Sequence, residues 1–244
     1  MAAKWYRMAA EQGRAEAQTC LGYLYDSGQG VAQDRAEAAK WYRRAAEQGH
    51  ARAQNNLGVL YENGQGVAQD CAEAAKWYRA AAEQGYANAQ YQLGLLYWSG
   101  NGMDRDFESA FKWFRRAAEQ GHAGAQYQLG LCYSAGTGVT SDATEAVKWF
   151  RMAAEQGNAN AQYRMALHYQ VGGGVKTDAA EAMRWYRKAA EQGHADAQYQ
   201  LGSHYELGIG VKKDLDAALK WYHKAAEQGH RLAQSSEESF RWRH

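Results

Sequence analysis

The side chains of this 244-residue sequence that could do chemistry are copies of one another. His50, His122, His194 and His230 stand at multiples of 36 residues, and His168 and His204 form a second such register. Paired imidazoles invite a metal site or a general base. Equivalent positions on neighbouring repeats lie about 10 Å apart at helix-packing distances, too far to share one ion. The first set falls at the end of a helix, where the dipole favours an imidazolium. Cys20, Cys71 and Cys132 occupy three different repeat positions, so they form neither a disulfide framework nor a zinc pattern, and free thiols are expected. Glu11, Glu47, Glu83, Glu119, Glu155, Glu191 and Glu227 are one position copied along the chain, with an arginine such as Arg43 four residues before it as a surface pair. A catalytic constellation is a local departure from its background. No nucleophile–base pair or close carboxylate pair departs here, and the reading is a protein that is not an enzyme, with no metal or cofactor.

The copying itself dictates the elements. The run Lys40 to Arg52 (Lys-Trp-Tyr-Arg-Arg-Ala-Ala-Glu-Gln-Gly-His-Ala-Arg) has counterparts around Trp5, Trp77, Trp113, Trp149, Trp185 and Trp221, each 36 residues from the next. A fixed period of this length marks stacked supersecondary units that bury their apolar faces only against neighbours. Ala38, Trp41, Tyr42, Ala45 and Ala46 follow the spacing of an amphipathic helix, here helix A of the repeat. Asp34 caps it with Glu37 as reciprocal partner, and the pair recurs as Asp70/Glu73, Asp142/Glu145 and Asp178/Glu181. At Asp106 and Asp214 the partner becomes Ser109 and Ala217, so weaker starts are expected there. Gly49 ends the helix as a left-handed residue. Helix B follows, with Ala53, Leu57, Leu60 and Tyr61 on one face and Gly58 permitting close approach. Tyr91/Leu95, Tyr127/Leu131 and Tyr163/Leu167 make its other face apolar too, as a helix sandwiched between neighbours requires. Each repeat closes with Gly-x-Gly-Val, or Met103 once, which reads as a positive-φ loop. No strand precedes these glycines and no Gly-Lys-Ser/Thr follows, so the loop is not a phosphate cradle.

The expected architecture is all-α, an α/α solenoid of about thirteen helices, as one domain over 1–244. Its repeats run about 1–30, 31–66, 67–102, 103–138, 139–174, 175–210 and 211–244, the first and last incomplete or divergent. With 28 Lys plus Arg against 27 Asp plus Glu, the net charge is +1, without the basic footprint of a nucleic-acid binder. No apolar run is long enough to span a membrane. The start carries no signal-peptide hydrophobic region, which predicts a cytoplasmic protein, or a periplasmic or secreted one if an upstream segment has been removed. Proline is absent, so glycine and capping side chains must end the helices. At the far end Glu237-Glu238 replace the Leu-Gly of helix B, and Ser239 to His244 is open to two readings, a capping helix or a frayed tail.

Ala-Glu-Ala-Ala-Lys-Trp-Tyr, Ala-Ala-Glu-Gln-Gly-His-Ala-x-Ala-Gln, Leu-Gly-x-x-Tyr and Gly-x-Gly-Val, recurring in this order, resemble the Sel-one-like repeat (SLR) family, relatives of the tetratricopeptide repeats. The resemblance covers residues 1 to about 234. It implies a right-handed superhelix whose A helices line a concave groove, and an adaptor or scaffold role, often in bacterial contacts with host proteins. Cysteine-rich secreted members have been linked to β-lactam binding or hydrolysis. The corresponding positions here read Ala and Gln, without the disulfide ladder.

Departures from the repeat are the informative residues. Trp98 stands where other repeats have Asp26, Glu62, Ser134, Gln170 and Glu206, with Phe107 and Phe111 within reach across the Gly100–Gly102 loop. These aromatics either pack the loop locally or offer a contact surface. Two residues before each tryptophan stand Ala39, Ala75, Phe111, Val147, Met183 and Leu219; two after it stand Arg43, Arg79, Arg115, Arg151, Arg187 and His223. An apolar row beside a guanidinium row suits an extended partner with apolar side chains and carboxylates. If instead each arginine is neutralised by the glutamate four residues on, the face is only a solvated surface. The expected partner-binding residues are Phe111, Arg115, Val147, Arg151, Met183 and Arg187, with Trp98 and Phe107. The function expected is a protein–protein interaction scaffold binding a peptide or protein segment in the groove. The alternative is a protein that binds or hydrolyses cell-wall or β-lactam compounds.

Overall fold

A computed structural model describes residues 2–243 of the chain, with side chains for residues 3–240. Among the described residues there are fourteen α-helices and no strand. The chain is an all-α solenoid, divided into two compact units, Met1–His122 and Ala123–His244. The first unit holds α1 (Ala2–Glu11), α2 (Ala15–Ser27), α3 (Arg35–Glu47), α4 (Ala51–Asn63), α5 (Cys71–Glu83), α6 (Ala87–Ser99) and α7 (Phe107–Glu119). The second holds α8 (Ala123–Ala135), α9 (Ala143–Glu155), α10 (Ala159–Val171), α11 (Ala179–Glu191), α12 (Ala195–Leu207), α13 (Leu215–Glu227) and α14 (Arg231–Arg243). Odd-numbered helices are the A helices, even-numbered the B helices, and within each unit every helix packs on the next in sequence. The fourteenth helix is α14, so the terminal segment is helical through Arg243; the side chains of Arg241–His244 lie outside the described residues.

The caps show why the A helices begin where they do. Asp34 and Asp70 accept the backbone N–H of Glu37 and Glu73 at 2.9 Å. The expected reciprocal bond from the glutamate is not made. The cap's own N–H is already donated to a helix B carbonyl, Asp34 to Tyr25 and Asp70 to Tyr61, and the glutamates turn outward to Lys40 and Lys76. The start at Asp106 is not weak either: Ser109 donates both its N–H and its hydroxyl to the carboxylate, which holds Asp106 below its ordinary pKa. Asp214, facing Ala217, keeps a single bond at 2.9 Å.

Helix B lies against the next helix A at glycine. A Cβ on Gly58 would come within 2.7 Å of the Tyr78 ring, and on Gly94 within 2.6 Å of Phe114. The deepest aromatic is thus the residue after each repeat tryptophan from Trp41 onward: Tyr42, Tyr78, Phe114, Phe150, Tyr186 and Tyr222 are buried. The tryptophans themselves divide into three groups. Trp41, Trp149 and Trp185 are 7%, 9% and 7% exposed; Trp77, Trp113 and Trp221 are half-buried; Trp5 is 68% exposed. Register sets Trp5 apart. Trp41 belongs to the cluster of Ala10, Ala17 and Leu21, and Trp77 packs on that of Ala38, Tyr42 and Leu57, so each tryptophan covers the repeat before it. No described repeat precedes Trp5.

Buried amides join the repeats. Gln48 Nε2 donates to Gln18 Oε1 at 2.7 Å, and Gln18 Nε2 donates to the Ala10 carbonyl at 3.1 Å. The same bonds recur through Gln84–Gln54 and Gln120–Gln90 in the first unit, and Gln156–Gln126, Gln192–Gln162 and Gln228–Gln198 in the second. Each ladder glutamine that enters the core at helix B therefore meets a partner, as burial of a polar group demands.

Candidate functional site

The face of the A helices that carries the arginine row is built by helix B. Arg43 donates to the Tyr61 hydroxyl, Arg79 to Tyr97 at 2.8 Å, Arg151 to Tyr169 at 2.8 Å and Arg187 to Tyr205 at 2.6 Å. The guanidinium of Arg43 also lies 5.7 Å from the Tyr61 ring centre, and that of Arg151 lies 5.9 Å from Tyr169. These four side chains are exposed, and among the described residues none of them forms an ion pair. Arg115 differs, bonding Glu119 at 2.8 Å, and His223 meets Glu227 and Glu237. Neutralisation by the glutamate four residues on thus describes Arg115, not the row. The tyrosine eighteen residues on was legible in the sequence as the Tyr of Leu-Gly-x-x-Tyr, but a pairing between helices leaves no trace in the period of either one.

The apolar row is corrected. Phe111, Val147 and Met183 are 9%, 4% and 4% exposed, so they are not turned out to a partner. Val147 and Met183 belong to a core cluster on which Val175 and Val211 pack, and Ala39 belongs to one on which Val67 packs. In these three repeats the valine that closes the Gly-x-Gly-Val loop thus packs on the cluster that holds the position two before the tryptophan. Trp98 and Phe107 meet edge to face at 5.0 Å across the loop, with Arg105 over Phe107, which is 37% exposed. Those aromatics pack each other.

The histidines after helix A are corrected as well. They do not offer charge to carbonyls behind them but cap the helix ahead: Nδ1 of His50, His194 and His230 accepts the N–H of Ala53, Ala197 and Ala233 at 3.2–3.4 Å. That acceptor exists only on a neutral ring. Burial lowers the pKa of His194, and of His122, whose ring stacks on Tyr91 at 4.5 Å. Asn158 fills the same role for Ala161 at 2.9 Å. His168 and His204 bond the loop carbonyls of Gly173 and Ile209. The three cysteines are free thiols, and no metal-ligating cluster of three side chains occurs among the described residues.

The sequence model of the Sel1 repeat family matches residues 1–13, 15–50, 51–86, 87–122, 123–158, 159–194 and 195–230. The chain belongs to the Sel1 repeat family. Among solved Sel1-type structures, a protective antigen of uropathogenic Escherichia coli strains displaying an SLR fold is 41% identical over 96% of this chain, with a TM-score of 0.91. The chain spans 50% of that protein's length. A Sel1 repeat protein from Oxalobacter formigenes is 41% identical, with 88% of this chain and 86% of that one covered and a TM-score of 0.79. A further sel1 repeat protein, from Klebsiella pneumoniae, shares the fold at 21% identity, 82% and 98% coverage and a TM-score of 0.52. No curated protein matches the chain. Sel1 repeats form a scaffold of the type used in protein–protein interaction, and proteins built from them are generally non-enzymatic. No described helix of this Sel1 repeat protein is long and apolar enough to cross a membrane.

Proposed function

We propose that this Sel1 repeat protein is a non-enzymatic scaffold that binds a peptide or protein segment along the groove side of its A helices. The observation that carries the reading is the arginine–tyrosine pairing. A guanidinium bonded to a carboxylate is already neutralised; one bonded to a phenol is held in place with its charge uncompensated. Arg43, Arg79, Arg151 and Arg187 are of the second kind. Charge-assisted bonds to carboxylates contribute about 1.5–3 kcal/mol each when water is excluded, and a donor already oriented loses less freedom on binding. An extended segment with spaced carboxylates fits this face, with Arg115 available to it by exchange from Glu119.

The test is selection of displayed random peptides on the folded chain, followed by titration of the selected sequences against the wild type and against Arg→Gln variants at 43, 79, 151 and 187. Acidic sequences whose affinity falls at least about tenfold in the variants, and falls with added salt, support the reading. Selected peptides that bind the four-fold variant unchanged, with its helicity intact, overturn it.

A further inference from the structure

The row two residues before the tryptophans is bulky at Val147 and Met183 and small at Ala39 on α3, and all three are 4% exposed. A surface cavity of about 400 Å³ opens at Ala39, its apolar floor formed by Ala36, Ala39 and Val67. Lys40, Arg43 and Arg44 stand on its rim with a single carboxylate, Glu47. Of these cations only Lys40 is paired with an acid, Glu37 at 2.8 Å; Arg43 is held by the Tyr61 hydroxyl and Arg44 lies 4.5 Å above the Trp41 ring. The cavity over the same face of α13 lacks this cationic excess: its lining carries Asp214, Asp216 and Glu227 beside Lys220, His223 and Lys224.

We propose that the niche over Ala39 is a specificity pocket, taking the side chain of a leucine or methionine from a partner polypeptide with an aspartate or glutamate beside it. The inference rests on the reading that a segment lies along the A helices, and it names what that segment must carry at α3. The size of the occupant follows from the chain: at the equivalent positions Val147 and Met183 sit buried under Val175 and Val211. A partner's aliphatic side chain set against Ala36, Ala39 and Val67 would cover the same kind of apolar wall, while its neighbouring carboxylate meets Arg43 and Arg44. The closed loop wall gives the pocket its shape. Gly66, at φ 72°, has no side chain, and a Cβ there would fall on the Arg35 carbonyl, so the loop is pressed onto the first turn of α3.

Ala39→Met tests the pocket, because the fold carries methionine at this position in α11; Ala39→Val, matching α9, serves if the larger side chain disturbs folding. Peptides selected on the wild type should be enriched in Leu or Met next to Asp or Glu, and should bind Ala39→Met and Arg43→Gln at least about tenfold more weakly. Peptides that weaken with Arg43→Gln and Arg79→Gln but not with either Ala39 variant overturn the pocket and leave the wider reading standing. Absence of any selected peptide, or peptides indifferent to all these changes, overturns both.

Discussion

The hydroxyl of Tyr78, on a ring with no exposed surface, donates to Glu62 Oε2 at 2.7 Å, sixteen residues earlier and on the preceding helix B. Tyr186 donates likewise to Gln170 at 2.5 Å and Tyr222 to Glu206 at 2.7 Å. Where the aromatic is Phe114 or Phe150, without a hydroxyl, the earlier position holds Trp98 or Ser134. Trp98 departs from the repeat because Phe114 asks for no acceptor; the two rings lie 6.3 Å apart. Glu62→Leu, which leaves the Tyr78 hydroxyl unpaired, should therefore lower stability by about 1–3 kcal/mol. Combining it with Tyr78→Phe should restore most of that loss, and Glu62→Gln should be nearly neutral, as urea unfolding of the four proteins will measure. A double variant as unstable as Glu62→Leu alone would refute the coupling.

Stability should fall in mild acid. Burial first, with the Arg164 charge, lowers the pKa of His194 in the folded state, against the attraction of Asp196. The unfolded chain then binds more protons than the folded one, so stability is complete above about pH 6.5 and is lost as pH falls through the lowered folded value. His122 and His204, both lowered by burial, add to the same slope. His194→Asn, copying Asn158, should keep the cap and flatten the dependence between about pH 7.5 and 5.5. An unchanged slope in that variant would remove His194 from the account.

Two glycines with nearly the same φ should respond differently to alanine. Gly49, at φ 85°, has nothing within 4 Å of an added Cβ, so Gly49→Ala meets only backbone strain, about 1–2 kcal/mol. Gly66→Ala adds a collision with the backbone of α3 and should cost about 3 kcal/mol or more. Equal losses in chemical unfolding would mean that the loop lifts freely from α3.

Thiol reactivity should follow burial. Cys132 has no exposed surface and its pKa is pushed up to about 12, while Cys20 and Cys71 are half-buried. Intact-mass measurement after native alkylation near pH 8 should show two modifications before the third, and the third at the rate of unfolding. A disulfide found without reductant would contradict the free thiols.

How much of this was legible in the sequence depends on the range of the interaction. The 36-residue period, the Asp34-type caps and the positive-φ loop glycines are local, and each appears where its residues say. Ala39, Phe111 and Met183 are a different case. Positions at the edge of a helical stripe are inside or outside according to what lies over them, and for Met183 the valine of a loop twenty-eight residues on packs on the cluster that holds it. A wheel drawn for one helix contains no such neighbour. The Tyr78–Glu62 and Arg43–Tyr61 pairs escaped for the same reason, although the shared change to Phe114 and Trp98 held the signal for the first.

The amide ladder has a consequence at the level of the gene. Its glutamines work in separate donor–acceptor pairs, the same in every repeat: Gln84 donates to Gln54 just as Gln48 donates to Gln18. Removing residues 51–86 in frame would leave Gln48 on Gln18 and bring Gln90 to the place of Gln54, with its own bond to Gln120 intact. No junction is keyed to one address in the chain. Unequal crossing-over in whole repeats therefore lengthens or shortens the coding sequence without orphaning a buried amide, and inheritance can adjust the reach of such a protein faster than point substitution can adjust its surface.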